Sequence, residues 1–159
     1  MTSPVSECLQ IVPALRRFAR VVLLNKAFAD QMVKECLIEA MPLLSHKNPQ
    51  MLRKQLFQTL LRCMATKPFD LNGNKDLAQE AMRNLLLKEN RRNSRAQALV
   101  VALSHLSRSE REILMLAALE GFGYKDIGKM TGNSLSSVMA KLHNGRELMR
   151  EIMFGAVAI

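Results

Sequence analysis

The chain has 159 residues, 48% of them hydrophobic and 23% charged, a globular balance that excludes a disordered chain, and no apolar run approaches the roughly 18 residues of a membrane span. Lys and Arg number 23 against 14 Asp and Glu, giving a net charge of +9, which points to an anionic partner and to nucleic acid first. Met1 to Glu7 shows no basic stretch followed by an apolar one, so no secretory leader is expected and the compartment is expected to be the cytosol.

Helical periodicity runs through nearly the whole chain, and no alternating run of β-branched residues is long enough for a strand, so an all-α fold is expected. Ile11, Leu15, Phe18 and Val22 form the first apolar stripe, with Pro13 expected in the first turn of that helix. Ala29, Met32, Val33, Cys36, Leu37 and Ala40 form a second, ended by Pro42, and Leu52, Leu56, Leu60 and Met64 a third after Pro49. The turn-forming run Lys67 to Asn74 marks a boundary. Leu77, Ala81, Leu85 and Lys88 suggest a connector helix that loses its apolar face in a solvated hinge at 89–93. The expected organisation is therefore a helical domain at 1–67, a linker with a connector helix at 68–95, and a second helical domain at 96–159. Residues 1–70 and 91–150 carry +5 each, and 71–90 are neutral.

In the second lobe Leu99, Val100, Leu103 and Leu106 line one face, and Ser107 with Glu110 forms a capping box ahead of Ile113, Leu114, Leu116 and Ala117. Gly121 supplies a left-handed stop. A short helix is expected from about Tyr124 to Thr131, a break at Gly132-Asn133, and a last helix capped by Ser134 and running from Leu135 towards Met153. This is the layout of a helix-turn-helix. Ile127 can bury against Val138, Gly128 is small enough for close helix approach, and Gly132 can take the positive φ of the turn. The second helix then offers Ser136, Ser137, Lys141, His143, Asn144 and Arg146 to phosphates and base edges.

The three cysteines, Cys8, Cys36 and Cys63, are widely spaced with no CxxC, so they read as small buried hydrophobes rather than a disulfide framework or zinc site. His46, His105 and His143 are isolated from one another and read as surface or capping residues. No phosphate-binding glycine loop, HExxH or GxSxG occurs, so no catalytic function, cofactor or small-molecule substrate is expected. Most of the 11 methionines are expected to fill the core.

The segment from Ala102 to Ser107, with Arg111, Leu114, the run Leu119 to Gly128, and Val138, resembles region 4 of bacterial extracytoplasmic-function sigma factors. Pro13 to Arg20 and Ala29 to Leu37 are similar to region 2 of the same family, and the proline followed by paired arginines and the Leu-Glu-Gly-Phe turn are most similar to the alphaproteobacterial general-stress branch. The resemblance spans roughly 11–65 and 96–153. It implies two small helical domains, a partner in core RNA polymerase, promoter DNA as ligand, and control by a small helical anti-sigma factor.

Carried over by position, Asp30, Gln31 and Glu35 would meet the polymerase clamp, and Arg53, Lys54, Arg62 and Lys67 the −10 element. Ser136, Ser137, Lys141, His143, Asn144 and Arg146 would meet the −35 element. The chain lacks the family's usual tryptophan near Gln55, and the family's −35 helix commonly carries Lys where Met139 stands and Arg where Lys141 and Asn144 stand. A sigma-like decoy that occupies an anti-sigma factor is therefore the alternative. Such mimics normally carry a receiver domain, and no βα repeat follows Met153, which favours the sigma factor.

Overall fold

The computed structural model describes residues 3–44, 48–66 and 91–157, and every regular element among them is helical. The first lobe holds α1 (Pro4–Leu23), α2 (Lys26–Ala40), a 3-10 turn (Met41–Leu43) and α3 (Pro49–Thr66). The second holds α4 (Arg91–Ser104), α5 (Arg108–Ala118), α6 (Tyr124–Thr131) and α7 (Leu135–Val157). The expected connector helix, Lys67, His46 and Met82 lie outside the described residues.

Local chemistry accounts for most boundaries. Ser3 caps α1 by accepting from the Ser6 N–H at 3.2 Å, and Pro4 sits at the first position, where a missing N–H costs nothing. This start lies well upstream of the expected one, so Pro13 is in the helix interior rather than its first turn. Pro13 is exposed, so water can take up the carbonyl that its missing N–H leaves without a donor. At the other end Leu24 adopts φ 53°, and its N–H closes on the Arg20 carbonyl. Asn25 then caps α2 by accepting from Phe28 N–H at 2.9 Å.

The three apolar stripes of the first lobe converge. Leu15, Phe18, Val22, Met32, Cys36, Leu56, Leu60 and Met64 are fully buried, and Phe18 meets Phe57 edge to face at 5.4 Å between centroids. Cys8, Cys36 and Cys63 are all buried free thiols. Burial pushes the Cys36 thiol to about 12 and the Cys63 thiol to about 11, the latter helped by its hydrogen bond to Glu39. Methionine is less uniform than expected: Met32 and Met64 are buried, whereas Met41, Met51 and Met139 are about half exposed.

In the second lobe Ser107 caps α5 through the Glu110 N–H at 3.1 Å, and its hydroxyl donates to the Glu110 carboxylate at 2.9 Å. Leu99 departs from its expected place, being 40% exposed while Ala98, Val101, Ala102 and Leu103 are buried.

The lobes do not stand apart. Helix α1 packs on α5 and α3 on α6, and one continuous core runs from Leu15 and Phe57 to Ile113 and Ile127. Arg111, 4% exposed, reaches from α5 across this junction. Its Nε donates to the Val22 carbonyl of α1 at 2.7 Å, and its Nη1 to the Leu103 and Leu106 carbonyls at 3.2 and 2.6 Å. A guanidinium suits the task because its donors diverge in a fixed plane. Among the described residues no helix is long and apolar enough to cross a membrane.

Candidate nucleic-acid interface

Helices α6 and α7 meet in a tight helix-turn-helix. Gly132 closes α6 at φ 71°, a conformation costly for any residue with a Cβ. The backbone returns so closely that a Cβ on Gly128 would stand 2.8 Å from the Asn133 carbonyl oxygen. Ile127 and Val138 are fully buried, and the Ser134 hydroxyl accepts from the Ser137 N–H at 3.2 Å to start α7. Each of these features follows from the turn chemistry expected of the sequence.

Along α7, Ser136, His143, Asn144 and Arg146 are exposed. Ser137 and Lys141 are turned partly inward. Ser137 Oγ donates to Asn133 Oδ1 at 3.3 Å, while Lys141 Nζ donates to Ser109 Oγ at 2.8 Å and Asn133 Oδ1 at 3.2 Å. The ammonium thus spends two of its three donors within the lobe. Leu135 and Met139 join the same outer surface at 45% and 52% exposure, an apolar contribution that charge-based reading misses. Beside it, Tyr124, Lys125, Gly128, Lys129, Asn133 and Leu135 line a shallow concavity of about 260 Å³. The exposed Lys125 and Lys129 add positive charge where the first helix of such a motif crosses a nucleic-acid backbone.

The three described residues assigned to the −10 element, Arg53, Lys54 and Arg62, are not gathered on one face. Arg53 and Lys54 point into the lobe junction. Arg53 Nη2 donates to Glu120 Oε2 at 2.7 Å and to the Glu120 carbonyl at 2.9 Å, and its guanidinium lies 4.6 Å from the Phe122 centroid and 5.2 Å from that of Phe57. Lys54 Nζ donates to Asp126 Oδ1 at 2.7 Å, and this bond holds the Asp126 carboxyl below its ordinary range. Arg62, nine positions on and about half a turn round the helix from Arg53, pairs instead with Glu39 of α2. Lys67 lies outside the described residues.

Glu120 is the residue sequence reading passes over. Its side chain is 1% exposed and receives Arg17 Nη2 at 3.0 Å as well as Arg53. The sequence presents it in the Leu-Glu-Gly-Phe turn, before a helix-ending glycine, with no sign of burial. A carboxylate so buried is tolerable because two guanidiniums bond to it.

Of the residues assigned to polymerase, Asp30 is held by a two-pronged bond from Arg20, with Nε and Nη2 at 3.0 and 2.9 Å. Gln31 donates to Glu35 at 3.4 Å one turn on. Among the described residues no group of His, Cys, Asp or Glu is placed to hold a metal ion.

Residues 96–149 match the family model for Sigma-70, region 4, a third of the chain that includes the whole helix-turn-helix. The co-crystal structure of the sigma factor RpoE in complex with the anti-sigma factor NepR from Bartonella quintana is similar over 92% of this chain and 94% of that one. Its TM-score is 0.65 at 20% identity, a likeness of fold. A comparison with curated protein sequences returns no match.

Proposed function

We propose that this protein is an RNA polymerase sigma factor of the extracytoplasmic-function type, acting in transcription initiation rather than catalysis. The observation that carries the reading is the region 4 match over 96–149, laid on a helix-turn-helix whose outer face offers Ser136, His143, Asn144 and Arg146. The likeness of fold to a sigma factor over 92% of the chain supports extending it to the first lobe. In this reading α7 meets the −35 element, with Lys141 and Arg146 on phosphates. Arg53, Lys54, Arg62 and Lys67 meet the −10 element, and Asp30, Gln31 and Glu35 face core polymerase. The domain division at 1–67, 68–95 and 96–159 belongs to the same proposal. So do a cytosolic location, a general-stress role and control by a small helical anti-sigma factor.

The decoy is the second reading, and one observation favours it. Arg53, Lys54 and Lys141 are all engaged within the chain, leaving fewer free cations for DNA than the net charge suggests. Run-off transcription from a stress promoter with reconstituted core polymerase separates the two. Initiation dependent on the protein supports the sigma factor, and stable anti-sigma binding without polymerase association supports the decoy.

A further inference from the structure

We infer that Glu120 and Asp126 act as internal stand-ins for DNA phosphates. They hold Arg53 and Lys54 of the first lobe in a closed clasp, so that lobe closure and DNA binding by α3 exclude each other. The inference rests on the proposed role of Arg53 and Lys54 at promoter DNA.

The geometry is that of a phosphate site filled by carboxylate. Both acidic residues belong to the second lobe, one just before α6 and one in its first turn, and both cations lie side by side on α3. Arg53 meets Glu120 at 2.7 Å and Lys54 meets Asp126 at 2.7 Å, the spacing of charge-assisted bonds to any anionic oxygen. Arg17 adds a second guanidinium to Glu120. A phosphodiester approaching α3 would compete for the two Nη2 hydrogens of Arg53 that the Glu120 carboxylate and carbonyl already hold, on a guanidinium that lies over Phe57 and Phe122.

The clasp is graded in burial. The Glu120 side chain is 1% exposed, while Lys54 and Asp126 are 35% and 45% exposed. The outer pair is therefore reached first by salt or by a polyanion and the inner one only as the lobes part. A chain whose binding-competent form is a minor fraction binds more weakly by that fraction. Closure thus suppresses stray DNA binding despite a charge of +9.

The test uses the full chain carrying Glu120→Gln and Asp126→Asn, which removes both stand-ins and leaves Arg53 and Lys54 in place. The control, Glu7→Gln with Glu35→Gln, makes the same charge change on α1 and α2, away from the helices proposed to meet DNA. Binding to a fluorescent mixed-sequence duplex is read by anisotropy across a salt series, and shape by small-angle scattering. The expected result is roughly tenfold tighter binding than the control, as for an open fraction of about a tenth. The salt slope should steepen by up to about two phosphate contacts. The radius of gyration should rise above the roughly 15 Å of a compact chain of this length.

A gain no larger than the control's overturns the competition. An expanded variant that binds no duplex removes the promoter role of Arg53 and Lys54 and the competition with it, while showing that the clasp itself holds the lobes. Should the double variant not fold, Asp126→Asn alone, at a half-exposed site that releases Lys54, gives a smaller gain in the same direction. No gain from it overturns the proposal.

Discussion

The Arg53 guanidinium grips Glu120 twice, through the carboxylate at 2.7 Å and the backbone carbonyl at 2.9 Å, joining residues 67 positions apart in two lobes. Truncating Arg53 leaves a buried carboxylate with Arg17 alone. Arg53→Ala is expected to lower stability by about 3 kcal/mol. Arg17→Ala, at a site 53% exposed, should cost about 1 kcal/mol or less. Urea unfolding of the two variants checks the ranking, and equal losses would contradict it.

Arg111 satisfies three buried carbonyls from two lobes. Arg111→Ala orphans all three and is expected to cost about 3 kcal/mol or more. Because the Val22 bond crosses the junction, thermal unfolding should also change from one cooperative transition to two. A single transition in calorimetry would show that other contacts suffice to couple the lobes.

Gly128→Ala places a methyl 2.8 Å from a backbone oxygen that cannot swing away, so a loss of about 2 kcal/mol is expected, in the range of overpacked cores. Gly132→Ala faces open space and suffers only the left-handed backbone, at about 1 kcal/mol. Hydrogen exchange should localise both losses to α6 and the start of α7.

These glycines, the Ser107 and Ser134 caps and the buried pair Ile127 and Val138 were legible in the sequence because turn and cap chemistry acts within a few residues. The apolar stripes were legible for the same reason, since a 3.6-residue period is a local property. Pro13 was harder, because Ser3 and Pro4 form a competing start whose strength over the inner proline depends on which side of α1 faces water. The clasp was not legible at all. Nothing in the spacing of Arg17, Arg53 and Glu120 says that they converge, and the region 2 and region 4 patterns describe each lobe without its neighbour. Lys141 reads as a free cation on a helix face, and only the packing of α5 beside α7 brings Ser109 to it.

Burial pushes the Glu112 carboxyl above its ordinary range, against the pull of Arg108. A carboxyl raised on folding favours the native state below its unfolded pKa, near 4.5, and loses that contribution as pH rises through the folded value. Glu112→Gln should therefore melt higher than the parent at pH 7, with the difference vanishing below about pH 4.5. Asp126, lowered by Lys54, has the opposite sign. Its contribution is present above its unfolded pKa, near 3.8, and disappears as pH falls through the lower folded value. Melting temperatures across pH 3 to 8 decide both.

Cys36 and Cys63, pushed to about 12 and 11, are buried and protonated at neutral pH. Only a thiolate attacks readily, so all three thiols should resist iodoacetamide in the folded chain and react together in denaturant. Rapid modification of Cys63 under native conditions would contradict its burial.

Phe57 has one further consequence. It touches Phe18 on one side and Phe122 on the other, each edge to face at 5.4 Å, and only the first of these neighbours belongs to its own lobe. Parting the lobes therefore uncovers an aromatic flank as well as cations. An open chain with no partner to cover that flank is a substrate for proteases and a nucleus for aggregation. On the proposed opening, the closed chain is therefore the longer-lived one, a difference that limited proteolysis of the parent and of the Glu120→Gln, Asp126→Asn variant reads directly.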